Sequence, residues 1–147
     1  MISSNPSAFE VEENGFAPPL SGGSVGVLAG TVEYTDITAK IIGEIPENAI
    51  IVGLLVSVTT DFDAGTNNDL EIGITSNADY FATLLDVGTV GNFREDATNM
   101  VAGRYGVKLG HGENLVVTYI PTGTASTQGV ANVILYYILA GDTVVLD

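Results

Sequence analysis

The chain has 147 residues, of which 46% are apolar and 15% are charged. This length and balance predict one globular domain with a single core, since a disordered chain would carry fewer apolar and more charged residues. Eighteen Asp and Glu residues against four Lys and Arg residues give a net charge of −14, which disfavours nucleic acids and anionic membranes as partners. The absence of cysteine excludes disulfides, thiolate metal sites and cysteine nucleophiles.

Residues 1–24 differ in composition from the rest of the chain. They contain three prolines, a Ser-Gly-Gly-Ser run at 21–24 and three glutamates. Adjacent prolines neither continue a helix nor donate to a sheet ladder, and glycines favour flexibility. We expect an extended N-terminal arm over residues 1–24, followed by one β-sandwich domain over residues 25–147. The arm is either a floppy terminus or a segment that orders on a neighbouring subunit, with Phe9 and Phe16 as candidate interface residues.

The first predicted strands lie between residues 25 and 60. Apolar residues alternate with polar ones from Val32 to Ile41 with one change of phase, which indicates a bulge or a turn between short strands. A Pro- and Asn-containing turn at 44–48 precedes a strand over 49–60. In that strand Val52, Leu54 and Val56 share one face, and Ile51 and Leu55 lie on the other. Since both faces contain apolar residues, we expect a central strand covered on two sides.

The middle of the chain mixes strand and helix patterns. After a loop at 61–68, the alternation over residues 69–74 predicts a half-exposed strand. Residues 77–87 are the one place where a short helix is expected, with Asp79 as its N-cap and Phe81, Leu84 and Leu85 at helical spacing.

Two further strands are expected towards the C-terminus. Alternation at residues 115–119 and a nearly continuous apolar run at 130–139 predict an antiparallel pair joined by a polar connection at 121–129, with the second strand buried on both faces. A last short strand is expected at 143–146. Short strands separated by Gly, Asn and Pro clusters predict an all-β fold, which we take to be a single antiparallel β-sandwich of jelly-roll-like type.

A metal site is conceivable in the loop that begins at Asp61. Asp61, Asp63, Asn67 and Asp69 stand at alternate positions around a glycine, a spacing that lets a curled loop direct oxygens at Ca²⁺. A calcium loop of the helix–loop–helix kind would need Glu at its twelfth position, where Ile72 stands. Because Asp, Asn and Gly are ordinary turn residues, a solvated turn is the alternative, and no metal is expected.

Catalytic patterns are nearly absent. The single histidine, His111, lies between glycines and is a general base, a metal ligand or part of a surface turn. Paired carboxylates for glycoside hydrolysis are not indicated by any spacing, and serine-hydrolase, phosphate-loop and zinc motifs are missing. We therefore expect neither an enzyme nor a cofactor.

The few basic and tyrosine residues are better candidates for a protein interface. Arg94, Arg104 and Lys108 stand in an otherwise acidic chain, and Tyr105 adjoins Arg104. Arg and Tyr are enriched at the residues that dominate binding energy. Tyr136 and Tyr137 must point to opposite faces of a strand. Our interface candidates outside the arm are Arg94, Arg104, Tyr105 and Tyr137.

Four segments resemble small β-rich structural proteins of tailed bacteriophages, among them capsid decoration (cement) proteins. They are residues 45–62 (IPENAIIVGLLVSVTTDF), 70–81 (LEIGITSNADYF), 114–121 and 129–137. The resemblance implies a non-catalytic virion protein, assembled in the host cytoplasm, that binds the capsid exterior and bridges neighbouring major capsid subunits. It also implies a homotrimer, with the arm lying across the capsid or a sister subunit.

Three other functions remain open from the residues alone. A head-fibre or tail component would be equally structural. A carbohydrate-binding module would need aromatic platforms, and the chain has no Trp, six Tyr and five Phe. A small β-sandwich hydrolase would need a nucleophile or a metal set that the sequence does not display.

Overall fold

The computed structural model describes residues 25–139, which form eight strands and no helix. The strands are β1 (Val25–Glu33), β2 (Lys40–Ile45), β3 (Ala49–Thr60), β4 (Asn67–Ile74), β5 (Asn77–Asp86), β6 (Gly91–Arg94), β7 (Glu113–Thr122) and β8 (Val130–Leu139). The expectation of an all-β chain is confirmed. The predicted arm at 1–24 and the predicted strand at 143–146 lie outside the described residues. With no helix in the described range, there is none that could span a membrane.

The strands form two antiparallel sheets of four. The first has the order β1-β8-β3-β6 and the second the order β2-β7-β4-β5. Both sheets contribute to one apolar core, including Leu54 and Leu135 from the first and Leu70 and Leu115 from the second, all with no exposed surface. At one end of the core the rings of Phe62 and Tyr119 pack with their centroids 4.7 Å apart.

The predicted pairing of the last two strands is wrong. β7 pairs with β2 and β4, whereas β8 pairs with β1 and β3, so the two strands lie in different sheets. The connection over residues 123–129 crosses between the layers, which in packed sheets are about 10 Å apart. Sequence neighbours usually pair, but here each strand is already flanked by two others and has no side left for its successor.

The predicted faces of the strand at 49–60 are partly wrong. Ile51 points inward, and so do Leu54, Val56 and Val58, while Val52 is 44% exposed. The register of β3 against β8 shifts between Ile51 and Gly53. An extra residue at a bulge reverses the alternation beyond it, and the sequence pattern does not display that reversal.

The predicted helix at 77–87 is also wrong, because these residues form β5. Phe81, Ala82 and Leu85 are buried, and the pairing of β5 with β4 shifts register between Leu70 and Ile72. The shift places two residues of β5, Thr83 and Leu84, opposite one residue of β4, Glu71. Leu84 takes a left-handed conformation with a φ of 54°. The bulge therefore produces a four-residue spacing of inward side chains that imitates the period of a helix.

Gly129, just before β8, provides a test of this packing. Its φ is 149°, and a Cβ built there would lie 2.3 Å from Cδ2 of the buried Phe62 ring. Replacing Gly129 with Ala should lower the free energy of unfolding by about 1–3 kcal/mol, the usual cost of overpacking a core. Urea denaturation measures the difference. The control is Gly110→Ala, where no atom lies within 4 Å of the built Cβ; an equal loss in both variants would contradict the packing described.

Candidate interaction surface

The outward face of the first sheet is apolar over half of its length. Strand alternation places the core residues of β1, β3 and β8 inward, so their neighbours must point away from the second sheet. Val25 and Val27 are 57% and 52% exposed. We define the apolar face by nine residues: Val25, Val27, Ala29, Ile50, Val52, Leu55, Ile134, Tyr136 and Ile138.

The register of the strands makes these side chains contiguous. One row across the sheet contains Val25, Ile138 and Ile50, and another contains Ala29, Ile134 and Leu55. Arg94 of β6 stands opposite Leu55 and so borders the apolar face. Side chains in adjacent strands and rows are close enough to touch, so the face is one continuous surface.

A polar row ends the apolar face. Thr31, Asn132, Ser57 and Asn92 follow one another across all four strands. The Thr31 hydroxyl donates to Oδ1 of Asn132 over 2.9 Å. The outward side of the first sheet is thus divided into an apolar half and a polar half.

The outward face of the second sheet is acidic. It carries Glu44, Asp69, Glu71 and Asp86, and β4, β5 and β7 contain no Lys or Arg. Asp69 and Asp86 stand opposite each other in the pairing of β4 with β5. Burial, and then the neighbouring Asp86 carboxylate, raise the pKa of Asp69 above its ordinary value. The two outer faces of the sandwich therefore differ sharply in chemistry.

The interface candidates from the sequence are placed in different surroundings. Arg94 is exposed at the border of the apolar face. Arg104 instead donates from Nε to the Tyr80 carbonyl over 3.0 Å and stacks on the Tyr80 ring at 4.2 Å. Phe9 and Phe16 lie outside the described residues.

The two tyrosine candidates face inward. Tyr137 packs against the core over Gly26, so its neighbour Tyr136 is the tyrosine on the apolar face. Tyr105 packs on Phe81, and its hydroxyl is buried without a hydrogen-bond partner among the described residues. Burial, and then the nearby Glu95 carboxylate, raise the pKa of Tyr105 above its usual range.

The loop that begins at Asp61, whose spacing we weighed as a Ca²⁺ site, forms a set of hydrogen bonds around Asp63 that we call the Asp63 clasp. The Asp63 carboxylate accepts bonds from the Thr127 hydroxyl (2.6 Å), the Thr127 amide (2.7 Å), the Ser126 hydroxyl (2.9 Å) and the Gln128 amide (3.1 Å). These donors, led by the Thr127 side chain, hold the pKa of Asp63 well below its ordinary value.

The other members of the calcium pattern are directed elsewhere. Asp61 accepts a bond from the Gln128 amide group over 2.7 Å, the Asn67 amide donates to the Thr122 hydroxyl over 3.0 Å, and Asp69 belongs to the acidic face. Nowhere in residues 25–139 do three or more His, Asp or Glu side chains gather as a metal would require. His111 lies at the surface with Nδ1 3.5 Å from the Glu113 carboxylate, which also accepts a bond from the Ser76 hydroxyl.

The comparisons with known proteins identify a fold and no family. No family model matches the sequence, and no curated protein matches it. A chain of the cyanophage Pam1 capsid asymmetric unit shares the fold with a TM-score of 0.58 and 21% identity, over 90% of this chain and 99% of that one.

Two further capsid structures contain chains of the same fold. For the acidic stable capsid of Helicobacter pylori bacteriophage KHP30 the TM-score is 0.59 with 12% identity, over 78% of this chain and 87% of that one. For a chain of the capsid of Ralstonia phage GP4 the TM-score is 0.55 with 17% identity, over 84% of this chain and 88% of that one. Each of the three alignments covers more than three quarters of both chains, so the shared fold spans most of each.

The Asp63 clasp predicts how stability depends on pH. The pKa of Asp63 in the folded state lies below its ordinary value of 3.8. The ionised carboxylate therefore stabilises the fold fully at pH values above 3.8. This stabilisation is lost as the pH falls from 3.8 through the folded-state pKa. Replacing Asp63 with Asn should therefore lower the free energy of unfolding at pH 7, and the difference from the wild type should narrow below about pH 4.

Urea denaturation between pH 7 and pH 3 measures this effect. Asp96→Asn is the matched control, because Asp96 is exposed and makes no hydrogen bond within the described range. If the loss of unfolding free energy in Asp63→Asn did not change with pH, or if it equalled the loss in Asp96→Asn, the hydrogen bonds of the Asp63 clasp would not be the origin of the pH dependence.

Proposed function

We propose that the chain is a structural virion protein of a tailed phage that docks on the outside of the capsid and stabilises the shell by bridging neighbouring major capsid subunits. The observation that carries this proposal is the two-sided chemistry of the sandwich: an apolar face on one sheet and an acidic face on the other. The fold that the chain shares with chains of three phage capsids supports the same role.

The strand orders support a jelly roll. Two sheets of four, with the orders β1-β8-β3-β6 and β2-β7-β4-β5, place successive strands in different sheets, except for β4 and β5, which pair with each other. This is the arrangement of a double Greek key, an architecture used by viral capsid domains. Such a sandwich presents two broad, rigid faces.

The apolar face is suited to docking. The largest contiguous apolar patch on the surface of a monomer is often functional, and patches beyond a few hundred Å² mark sites of protein contact. Arg94 at its border would pair with a carboxylate of the shell, a contact that favours one orientation of the docked protein. The acidic sheet would then face solvent, where its charges keep their hydration. A protein that only adds contact area to a finished shell needs no catalytic group.

The size of the apolar face favours several linked copies over one. The apolar face spans three strands about 4.8 Å apart and about five residues of about 3.3 Å along each strand, so its area is a few hundred Å². A stable interface buries about 800 Å² per partner. One face alone would bind weakly. A homotrimer would present three faces together, and linking binding sites raises the overall affinity by roughly 10²–10⁴.

A pair of matched variants tests the docking face. Val52 is exposed on the apolar face and Ile41 is 60% exposed on the second sheet, so each can be replaced by Glu without burying a charge in the core. We expect V52E to bind shells of the major capsid protein at least about tenfold more weakly, because docking would desolvate the new carboxylate. I41E should bind like the wild type.

Cosedimentation of labelled protein with shells assembled without it measures both affinities. Thermal disruption of the same shells, with and without bound protein, measures the stabilisation. Failure of the wild-type protein to cosediment would refute the proposed function. Equal binding by V52E and the wild type would refute the assignment of the face.

A further inference from the structure

One side of the sandwich has its strand edges covered by the segment that follows β6. The Thr83 amide of β5 donates to the Asn99 carbonyl over 2.9 Å, and the Val101 amide donates to the Phe81 carbonyl over 2.9 Å. These bonds occupy the outer side of β5. A strand whose outer amides are occupied offers no template to another chain.

The same segment completes the edge of β3 beyond its pairing with β6. The Gly106 amide donates to the Ile51 carbonyl over 2.7 Å, and the Leu109 amide donates to the Ala49 carbonyl over 2.9 Å. Between these bonds and β6, the Glu95 carboxylate accepts a bond from the Leu54 amide over 3.1 Å. A side chain thus accepts from a backbone amide of β3 next to the register shift between Ile51 and Gly53.

β1, at the opposite edge of the first sheet, has no such cover among the described residues. Its nine residues pair with β8 in one unbroken register and contain no proline, and no backbone hydrogen bond is made on its other side within residues 25–139. The adjacent edge strand, β2, is shorter, has a register shift and begins with a lysine. Short length, a bulge and lysine are the usual protections of an edge, and β1 lacks all three.

Two hydrogen bonds identify which amides of β1 are open. The Tyr34 amide donates to the Gly129 carbonyl over 3.1 Å, which continues the β1–β8 register, so the even-numbered residues of β1 bond towards β8. The Lys40 ammonium donates to the carbonyl of the odd-numbered Thr31 over 2.6 Å and also pairs with Asp36 at 3.2 Å. Backbone groups of alternate residues point to the same side of a strand. The amides and carbonyls of Val25, Val27 and Ala29 therefore share that open side, and Lys40 closes the run at its polar end.

We infer that residues 25–29 accept an added β-strand from an extended segment of a neighbouring shell subunit. Three residues offer three donors and three acceptors in register, the main-chain recognition used in strand addition. The side chains of Val25 and Val27 are more than half exposed beside this edge and belong to the apolar face. The added segment must be uncharged and apolar at alternate positions, since a charge there would be desolvated against valine. This inference rests on the proposed function.

Amide hydrogen exchange, read residue by residue, tests the inference on the full-length protein. In the free protein the amides of Val25, Val27 and Ala29 should exchange rapidly. The intervening Gly26, Leu28 and Gly30, which face β8, should exchange slowly and serve as internal controls. On shells of the major capsid protein the three open amides should slow by at least about tenfold.

A proline variant gives an independent measurement. Ala29→Pro removes an open-side donor and leaves the ladder to β8 in place, because edge strands tolerate proline at such positions. We expect A29P to keep its melting temperature and to bind shells about five- to tenfold more weakly, the effect of losing one hydrogen bond. Ala29→Val, which changes the same position of the apolar face but keeps the donor, is the reference, and A29P should bind more weakly than A29V by that factor.

Three outcomes would overturn the inference. Wild-type protein that binds shells with its open amides still exchanging rapidly would refute strand addition and leave the proposed function standing. Protection already present in the free protein would mean that the chain itself or a second copy fills the edge. Absence of binding to shells in cosedimentation would refute the proposed function and this inference together.

Discussion

The packing of two apolar sheet faces against each other is the constraint from which the other features follow. Leu54 and Leu135 of the first sheet share one core with Leu70 and Leu115 of the second. Because side chains alternate along a strand, burying one set fixes which residues point outward. The packing of the core therefore also determines which residues form the apolar face of the first sheet and the acidic face of the second. No further interaction is needed to point these side chains outward.

Much of the fold could be predicted from the sequence, and the errors have a common origin. Alternating apolar residues correctly indicate an all-β chain, and the strand predicted at 49–60 coincides with β3. The predictions for Val52 and Leu84 failed because both residues lie at bulges, where one extra residue changes which side chains of the strand point inward. A bulge is stabilised by partners such as Glu95 and Asn99 that come from elsewhere in the chain. The pairing of β7 with β8 failed because a short connection can cross between sheets as well as turn within one.

The candidate surface was less predictable than the fold. The continuous apolar run of β8 correctly indicates apolar side chains on both faces, but the expected burial of both faces is wrong, because Ile134, Tyr136 and Ile138 on the outer face are only partly buried. Whether Tyr136 or Tyr137 points outward depends on a register that the sequence does not state. The hydrogen-bond partners of Asp63 lie 63 to 65 residues away, so the local spacing indicated only a turn or a metal loop and could not predict the Asp63 clasp. Arg94, which lies at the border of the apolar face, was an interface candidate because the chain has only four Lys and Arg residues.

Under the proposed function, the acidic second sheet would have a consequence for the particle as a whole. If each copy docks by its apolar face, the coated shell presents a dense layer of carboxylates to the medium. Two such particles repel each other over a distance set by the Debye length, about 10 Å at 0.1 M salt. The coat would then act as a colloidal stabiliser that keeps crowded virions dispersed, and its effect would weaken as the ionic strength rises.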